Sequence, residues 1–299
     1  MIRDFLTVSQ KKSSNLYGAL LILLSTLFAL GGNGLLHSLS TKLPAMEILF
    51  FKNFIAFLCL LISCHSSLKS LLKTKALYGQ MLRGLLATVG GWTWTLSLLY
   101  LPLAEASALS LTSTLFTSLG GILFFKEKSR LSLWGALAVG FLGVLIILQP
   151  TKAMFSIYAF LPLISAVAFA GSALLIKPLG IRDTPNTTLL YSMGCVSLLS
   201  GIPTCFEWVT PSCLDFLKLM GIGGIYLIAQ KFLNAAYMHA TASFLAPFKF
   251  SKFPLSALIG ILFFMEIPSE ITLMGGGIIM GACIYLIWNE KKNPKIMPK

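Results

Sequence analysis

The chain has 299 residues, 56% of them hydrophobic and 11% charged, with a mean hydropathy of +0.85 and a formal net charge of +13. This balance excludes an ordinary soluble domain. Most Lys and Arg fall in short segments between apolar runs of about 20 residues, the length that crosses about 30 Å of hydrocarbon, so the charge reads as loop anchoring at a lipid surface and not as nucleic-acid binding.

Apolar runs bounded by charge, Pro and Gly predict helices at 16–36, 45–63, 77–99, 103–125, 131–149, 155–177, 188–206, 214–234, 241–264 and 270–288. The first follows a short basic segment but is too long for a signal peptide and lacks a small-residue cleavage site, so it reads as a retained helix. Its Gly31-Gly32-Asn33-Gly34 run predicts a break that either exposes backbone to a ligand or admits a close neighbour. Between the third and fourth helices only Tyr100-Leu101-Pro102 offers a turn, and Pro102 suits the first turn of the helix that follows. Summed over alternate loops, sixteen basic residues lie on one side and three (Lys42, Lys152, Lys218) on the other, which predicts an even number of spans with both termini cytoplasmic. Asn186-Thr187-Thr188 matches a glycosylation sequon, but this topology puts it inside.

A duplication organises the chain. Gly121-Ile122-Leu123-Phe124-Phe125-Lys126-Glu127 recurs 139 residues later as Gly260-Ile261-Leu262-Phe263-Phe264-Met265-Glu266, each copy closing one helix ahead of a Gly-rich one. Five helices per half is an odd number, so the second half must enter the membrane with opposite orientation. Lys126, Lys128 and Arg130 beside the first copy, against Ile267, Pro268, Ser269 and Glu270 beside the second, agree with that inversion. The expected fold is all-α and polytopic: ten transmembrane helices in two inverted five-helix repeats, 1–150 and 151–299. Halves of this kind can exchange conformations around a central site, although small residues also serve plain helix packing.

A charge at a helix centre costs about 2.5–3.5 kcal/mol on insertion scales, so an intramembrane cation should face a partner or a watery cavity. Lys249 and Lys252 fall near the middle of the ninth predicted helix, about 12 and 17 Å from its start. The repeat offset matches them to Ser110 and Ser113 on the fourth. Phe248, Phe250 and Phe253 flank the lysines, Phe116 lies on helix four, and Trp92 and Trp94 lie on helix three. Rings of this kind stack on planar cargo or simply pack, while the ammonium groups hold an anionic one. On helix two, Lys52, with Asn53 adjacent, lies deeper than snorkelling favours; Glu47 on the same helix and Arg83 on helix three read as ion-pair or interfacial residues. The candidate substrate-binding set is Lys249, Lys252, Lys52, Phe248, Phe250, Trp94, Ser110, Ser113, Phe116 and Asn33. Six scattered Cys and three distant His offer no metal or cofactor motif, and no H-E-x-x-H or G-x-S-x-G suggests an enzyme.

Taken together, these features resemble the EamA-type drug/metabolite transporters, whose ten helices form two inverted repeats with glutamates at the helix ends where Glu127 and Glu266 stand. Glu47-Ile48-Leu49-Phe50-Phe51-Lys52, Leu82-Arg83-Gly84, Trp94, Pro102-Leu103-Ala104, Ala240-Thr241-Ala242 and Ala246-Pro247-Phe248-Lys249-Phe250 are similar to the bacterial S-adenosylmethionine uptake carriers of intracellular parasites. Those carriers tend to have Arg at Lys52 and Lys249 and Tyr at Phe248 and Phe250, and Lys252 is an additional departure. The resemblance implies uptake of S-adenosylmethionine across a bacterial inner membrane, in exchange for S-adenosylhomocysteine, with a small-molecule cargo and the lipid bilayer as partners. Export of amino acids or related metabolites is the alternative within the fold; a membrane enzyme or a structural or channel subunit is the alternative outside it.

Overall fold

The computed structural model describes residues 15–40, 42–65, 71–125, 131–148, 157–239, 245, 248–249, 251–265 and 267–292. The described residues are helical with no strand: α1 (Asn15–Leu39), α2 (Ala45–Ser63), α3 (Leu77–Tyr100), α4 (Leu103–Ser110), α5 (Thr112–Phe125), α6 (Leu131–Leu148), α7 (Phe160–Arg182), α8 (Pro185–Thr204), α9 (Cys213–His239), α10 (Lys252–Phe264) and α11 (Glu270–Lys292). α4 and α5 together make the fourth predicted span. Tyr17–Leu39, Ala45–Ser63, Ile157–Arg182 and Cys213–His239 are each long and apolar enough to cross a bilayer unaided. α3 is as long, but Gln80, Arg83, Thr88 and Thr95 on its buried face dilute its apolar character.

Burial is reversed relative to a soluble protein. Leu198, Ile202, Leu262 and Phe263 are exposed, whereas Ser25, Asn53, Gln80, Arg83, Ser107 and Asn234 are buried. Lipid solvates the first group, and neighbouring helices must satisfy the second. Close approach depends on glycine where α6 crosses α11: a Cβ on Gly143 would lie 2.8 Å from the Gly275 carbonyl oxygen, and one on Gly275 2.7 Å from that of Gly143.

Packing partners exchange when the halves are exchanged. α1 lies along α9 as α7 lies along α3; α9 meets α2 as α3 meets α8; α2 meets α8, α6 meets α11 and α4 meets α10. Two polar clasps follow the same exchange. Asp183, between α7 and α8, accepts from the Thr74 hydroxyl, from Lys75 N–H at 2.9 Å and from Gln80 Nε2 at 2.8 Å, tying down the segment before α3. At the opposite end of α2, Glu47 Oε2 accepts from Val209 N–H at 3.1 Å in the segment before α9. Burial disfavours the Asp183 carboxylate, but bonds from Thr74, Lys75 and Gln80 outweigh it and hold its pKa below the ordinary value.

Several boundaries move. Pro102 is the N-cap of α4, one place earlier than expected, and α7 and α9 run past their predicted ends to Arg182 and His239. The Gly31–Gly34 run does not break α1: the helix continues, and a Cβ on Gly32 or Gly34 would meet Ile225 or Ile259 only at an ordinary contact of 3.5 Å. The fourth span, expected to be continuous, is interrupted at Leu111, where bonds tighten to Leu111 N→Ala108 O (3.1 Å) and Thr114 N→Leu111 O (3.0 Å). Hydroxyls bond locally around the interruption, Ser110 and Thr112 donating back to the carbonyls of Ser107 (2.8 Å) and Leu109 (2.7 Å). Likewise α10 begins only at Lys252, behind Ser251, whose hydroxyl donates to Phe248 O at 2.7 Å. Lys252 is therefore the first residue of a helix and not a point along an unbroken one.

Candidate functional site

Four spans converge on Lys252. Its ammonium donates to Ser110 Oγ at 2.8 Å and sits 4.1 Å from the centre of the Trp94 ring. Trp94 Nε1 in turn donates to Asn33 Oδ1 at 3.4 Å. Asn33 on α1, Trp94 on α3, Ser110 at the end of α4 and Lys252 at the start of α10 thus form one connected group. Each element explains its residue. α1 packs between α9 and α10, with Ile225 and Ile259 beside Gly32 and Gly34; Trp94 is 5% exposed in the core that Leu36, Leu98 and Ala106 share. Ser110 lies in the last turn of α4, where the helix dipole favours a cation.

Lys249 is held separately. Its ammonium donates to the Tyr237 hydroxyl and lies 4.9 Å from that ring's centre. Phe248 packs beside Tyr237 and Leu245, a role in the core. Lys52, 8% exposed, lies 4.9 Å from the centre of the Tyr226 ring. Ser113 and Phe116 are half-buried on α5, and the Ser113 carbonyl accepts from Thr117 at 2.6 Å. Phe250, Glu127, Glu266 and the basic residues of 126–130 lie outside the described residues.

The partners of Lys52 and Lys249 were not among the sequence candidates. Tyr226, Gln230, Asn234 and Tyr237 recur at four, four and three residues along α9, one face of one helix. Tyr226 meets Lys52, hydrogen-bonds Gln230 and is an electrostatic neighbour of Arg83; Asn234 meets Arg83, and Tyr237 meets Lys249. The signal was that polar stripe within an apolar run. Arg83 does not snorkel: it is 3% exposed and donates to Thr188 O at 2.9 Å and Asn234 Oδ1 at 3.5 Å. None of Lys52, Arg83, Lys249 and Lys252 makes an ion pair among the described residues, where Lys42 and Asp215 pair at 3.6 Å on the surface. Three aromatic faces, those of Tyr226, Tyr237 and Trp94, therefore carry ammonium groups that have no counter-charge among the described residues.

Known proteins share this sequence and shape. Residues 16–149 match the EamA-like transporter family. An S-adenosylmethionine uptake transporter of Rickettsia felis is 29% identical over 85% of this chain and 86% of its own. A riboflavin transporter of Vibrio cholerae is 32% identical over 74% of this chain and 76% of its own, and a pseudopaline exporter of Pseudomonas aeruginosa 30% identical over 92% and 97%. A solved crystal structure superposes with a TM-score of 0.66 over 93% of this chain and 99% of that one, at 14% identity.

Proposed function

Because the chain belongs to the EamA-like transporter family, and is a multi-pass membrane transporter and not an enzyme, we propose that it takes up S-adenosylmethionine by alternating access and returns S-adenosylhomocysteine. The observation that carries this reading is the Lys252 cluster, a cation bonded to Ser110 and lodged on Trp94 where two interrupted helices meet. Interrupted helices at a repeat interface are where carriers hold cargo. Lys249 and Lys252 donate to the cargo's anionic and ring-acceptor atoms. The Trp94 and Tyr237 faces, which here hold ammonium groups, accept a sulfonium or a planar ring instead. Phe248, Phe250, Ser113 and Phe116 complete the wall, and Lys52 stands by at Tyr226.

The exchange of packing partners between 1–150 and 151–299 supports two inverted repeats, and the basic-residue asymmetry supports cytoplasmic termini in a bacterial inner membrane. The test is uptake of labelled S-adenosylmethionine by cells expressing the protein. Saturable uptake that Lys249→Ala and Lys252→Ala abolish at equal membrane abundance supports the reading; undiminished uptake by both variants removes the site.

One observation favours a second reading. Four buried or half-buried cations with no carboxylate partner among the described residues favour cargo of net negative charge, which suits export of carboxylated amino-acid metabolites. Efflux from preloaded cells, run beside uptake, separates the two.

A further inference from the structure

The Arg83 cluster is built differently from the lysine sites. Arg83, Gln80, Thr188 and Asn234 are 3%, 0%, 1% and 1% exposed, and three of their polar atoms find no partner in the described residues: Arg83 Nε, Asn234 Nδ2 and Gln80 Oε1. The amide orientations are fixed by their other halves. Asn234 Oδ1 accepts from Arg83, so Nδ2 must be the free end; Gln80 Nε2 donates to Asp183 at 2.8 Å and Thr188 Oγ1 at 3.3 Å, so Oε1 must be free. A buried unpaired polar group costs roughly 1–3 kcal/mol, and three in one cluster signal a missing occupant.

Their chemistry specifies that occupant. Two donors, one of them part of a guanidinium, call for an oxyanion. The single acceptor calls for an N–H⁺ or O–H group beside it. Gln80 and Arg83 lie three apart on α3 and so share a face. A molecule that brings a carboxylate and an ammonium group on one carbon answers both requirements.

The geometry points to a subsite at Arg83, Asn234 and Gln80 that binds the α-amino-acid head of the cargo. Arg83 Nε and Asn234 Nδ2 donate to its carboxylate, and Gln80 Oε1 accepts from its ammonium. Asn234 stands three residues, about 4.5 Å along α9, from the Tyr237 that holds Lys249, so a head group here leaves the rest of the cargo directed toward the lysines and Trp94. This deepens the carrier reading and rests on it: the lysines then serve the nucleoside part, and specificity extends to any cargo with the same head.

The test is ligand binding to the purified full-length protein in detergent. S-adenosylhomocysteine is compared with methylthioadenosine, the same nucleoside sulfide without the amino-acid head. The wild type should bind the first at least about tenfold more tightly. Arg83→Gln should erase the difference. Should that variant fail to fold, Asn234→Asp serves, because it supplies Arg83 with a carboxylate from the protein itself and should equally erase the preference. Equal binding of the two ligands by wild type, the result expected if waters satisfy the three atoms, overturns the subsite; so does a preference that survives in Arg83→Gln or Asn234→Asp. If neither adenosyl compound binds, L-methionine against its decarboxylated amine decides. Binding of the amino acid alone keeps the subsite and removes the adenosyl reading, whereas binding of neither, or of both alike, removes the subsite.

Discussion

Lys252 Nζ donates to Ser110 Oγ at 2.8 Å, joining the first residue of α10 to the last of α4. Two helices from different halves of the chain are thereby fastened through a charge that has no carboxylate partner among the described residues.

Lys252→Met keeps the length of the side chain and removes the charge. A half-buried ammonium without a counter-charge among the described residues is costly, so the apparent Tm in detergent should stay level or rise by a few degrees while initial uptake falls at least about tenfold. A parallel fall in Tm and uptake would mark Lys252 as structural.

Trp94→Phe retains an aromatic face but weakens the cation contact and deletes the donor to Asn33, whereas Trp94→Leu removes the face altogether. Uptake should decline in that order, with the Leu variant losing about 1–2 kcal/mol of apparent cargo affinity, on the order of tenfold. Competition curves on membrane vesicles from both variants provide the measurement.

Asp183→Asn tests the clasp over the segment before α3. The folded carboxylate titrates below its unfolded value, so its stabilisation is fully present above about pH 4 and is lost as pH falls through the lower folded value. After allowance for solvent screening, the variant should be less stable by about 1 kcal/mol at pH 7. Wild type and variant should converge on acidification, and thermal melts from pH 7 down to about pH 3 would reveal a constant gap if the carboxylate is idle.

Glycines should divide by what surrounds them. Gly143→Ala and Gly275→Ala place a methyl group within 2.8 Å of a backbone oxygen and should cost about 1–3 kcal/mol by overpacking. Gly221→Ala meets nothing within 4 Å and should gain up to about 1 kcal/mol from helix propensity. Melting temperatures of the three variants in one detergent check the sign in each case.

Much of this was legible in the sequence because lipid enforces simple rules. Apolar length set the spans, and the repeated Gly-Ile-Leu-Phe-Phe segment is the sequence feature from which a duplication is read. Asn33, Trp94, Ser110 and Lys252 stood out as polar or amphipathic residues amid apolar surroundings. The repeat offset, however, matched Lys252 to Ser113, while the structure pairs it with Ser110. Equivalent residues need not meet when two halves cross, and the interruptions at Leu111 and Ser251 displace the side chains on either side. Hydroxyls bond back to carbonyls at both interruptions, local geometry that hydropathy does not register. Arg83 was misjudged because an arginine near a helix end usually reaches water; here Thr188 and Asn234, more than 100 residues away in the chain, keep it buried.

The Glu47 and Asp183 clasps close opposite ends of the bundle with similar means, a carboxylate holding a backbone N–H of the other half. In a two-sided carrier the ratio of outward-facing to inward-facing molecules depends on the difference between two such clasps, not on the strength of either. Weakening one by about 1.4 kcal/mol shifts that ratio tenfold, and the apparent affinity measured from each face shifts with the fraction of molecules competent there, even though no residue that touches cargo has changed.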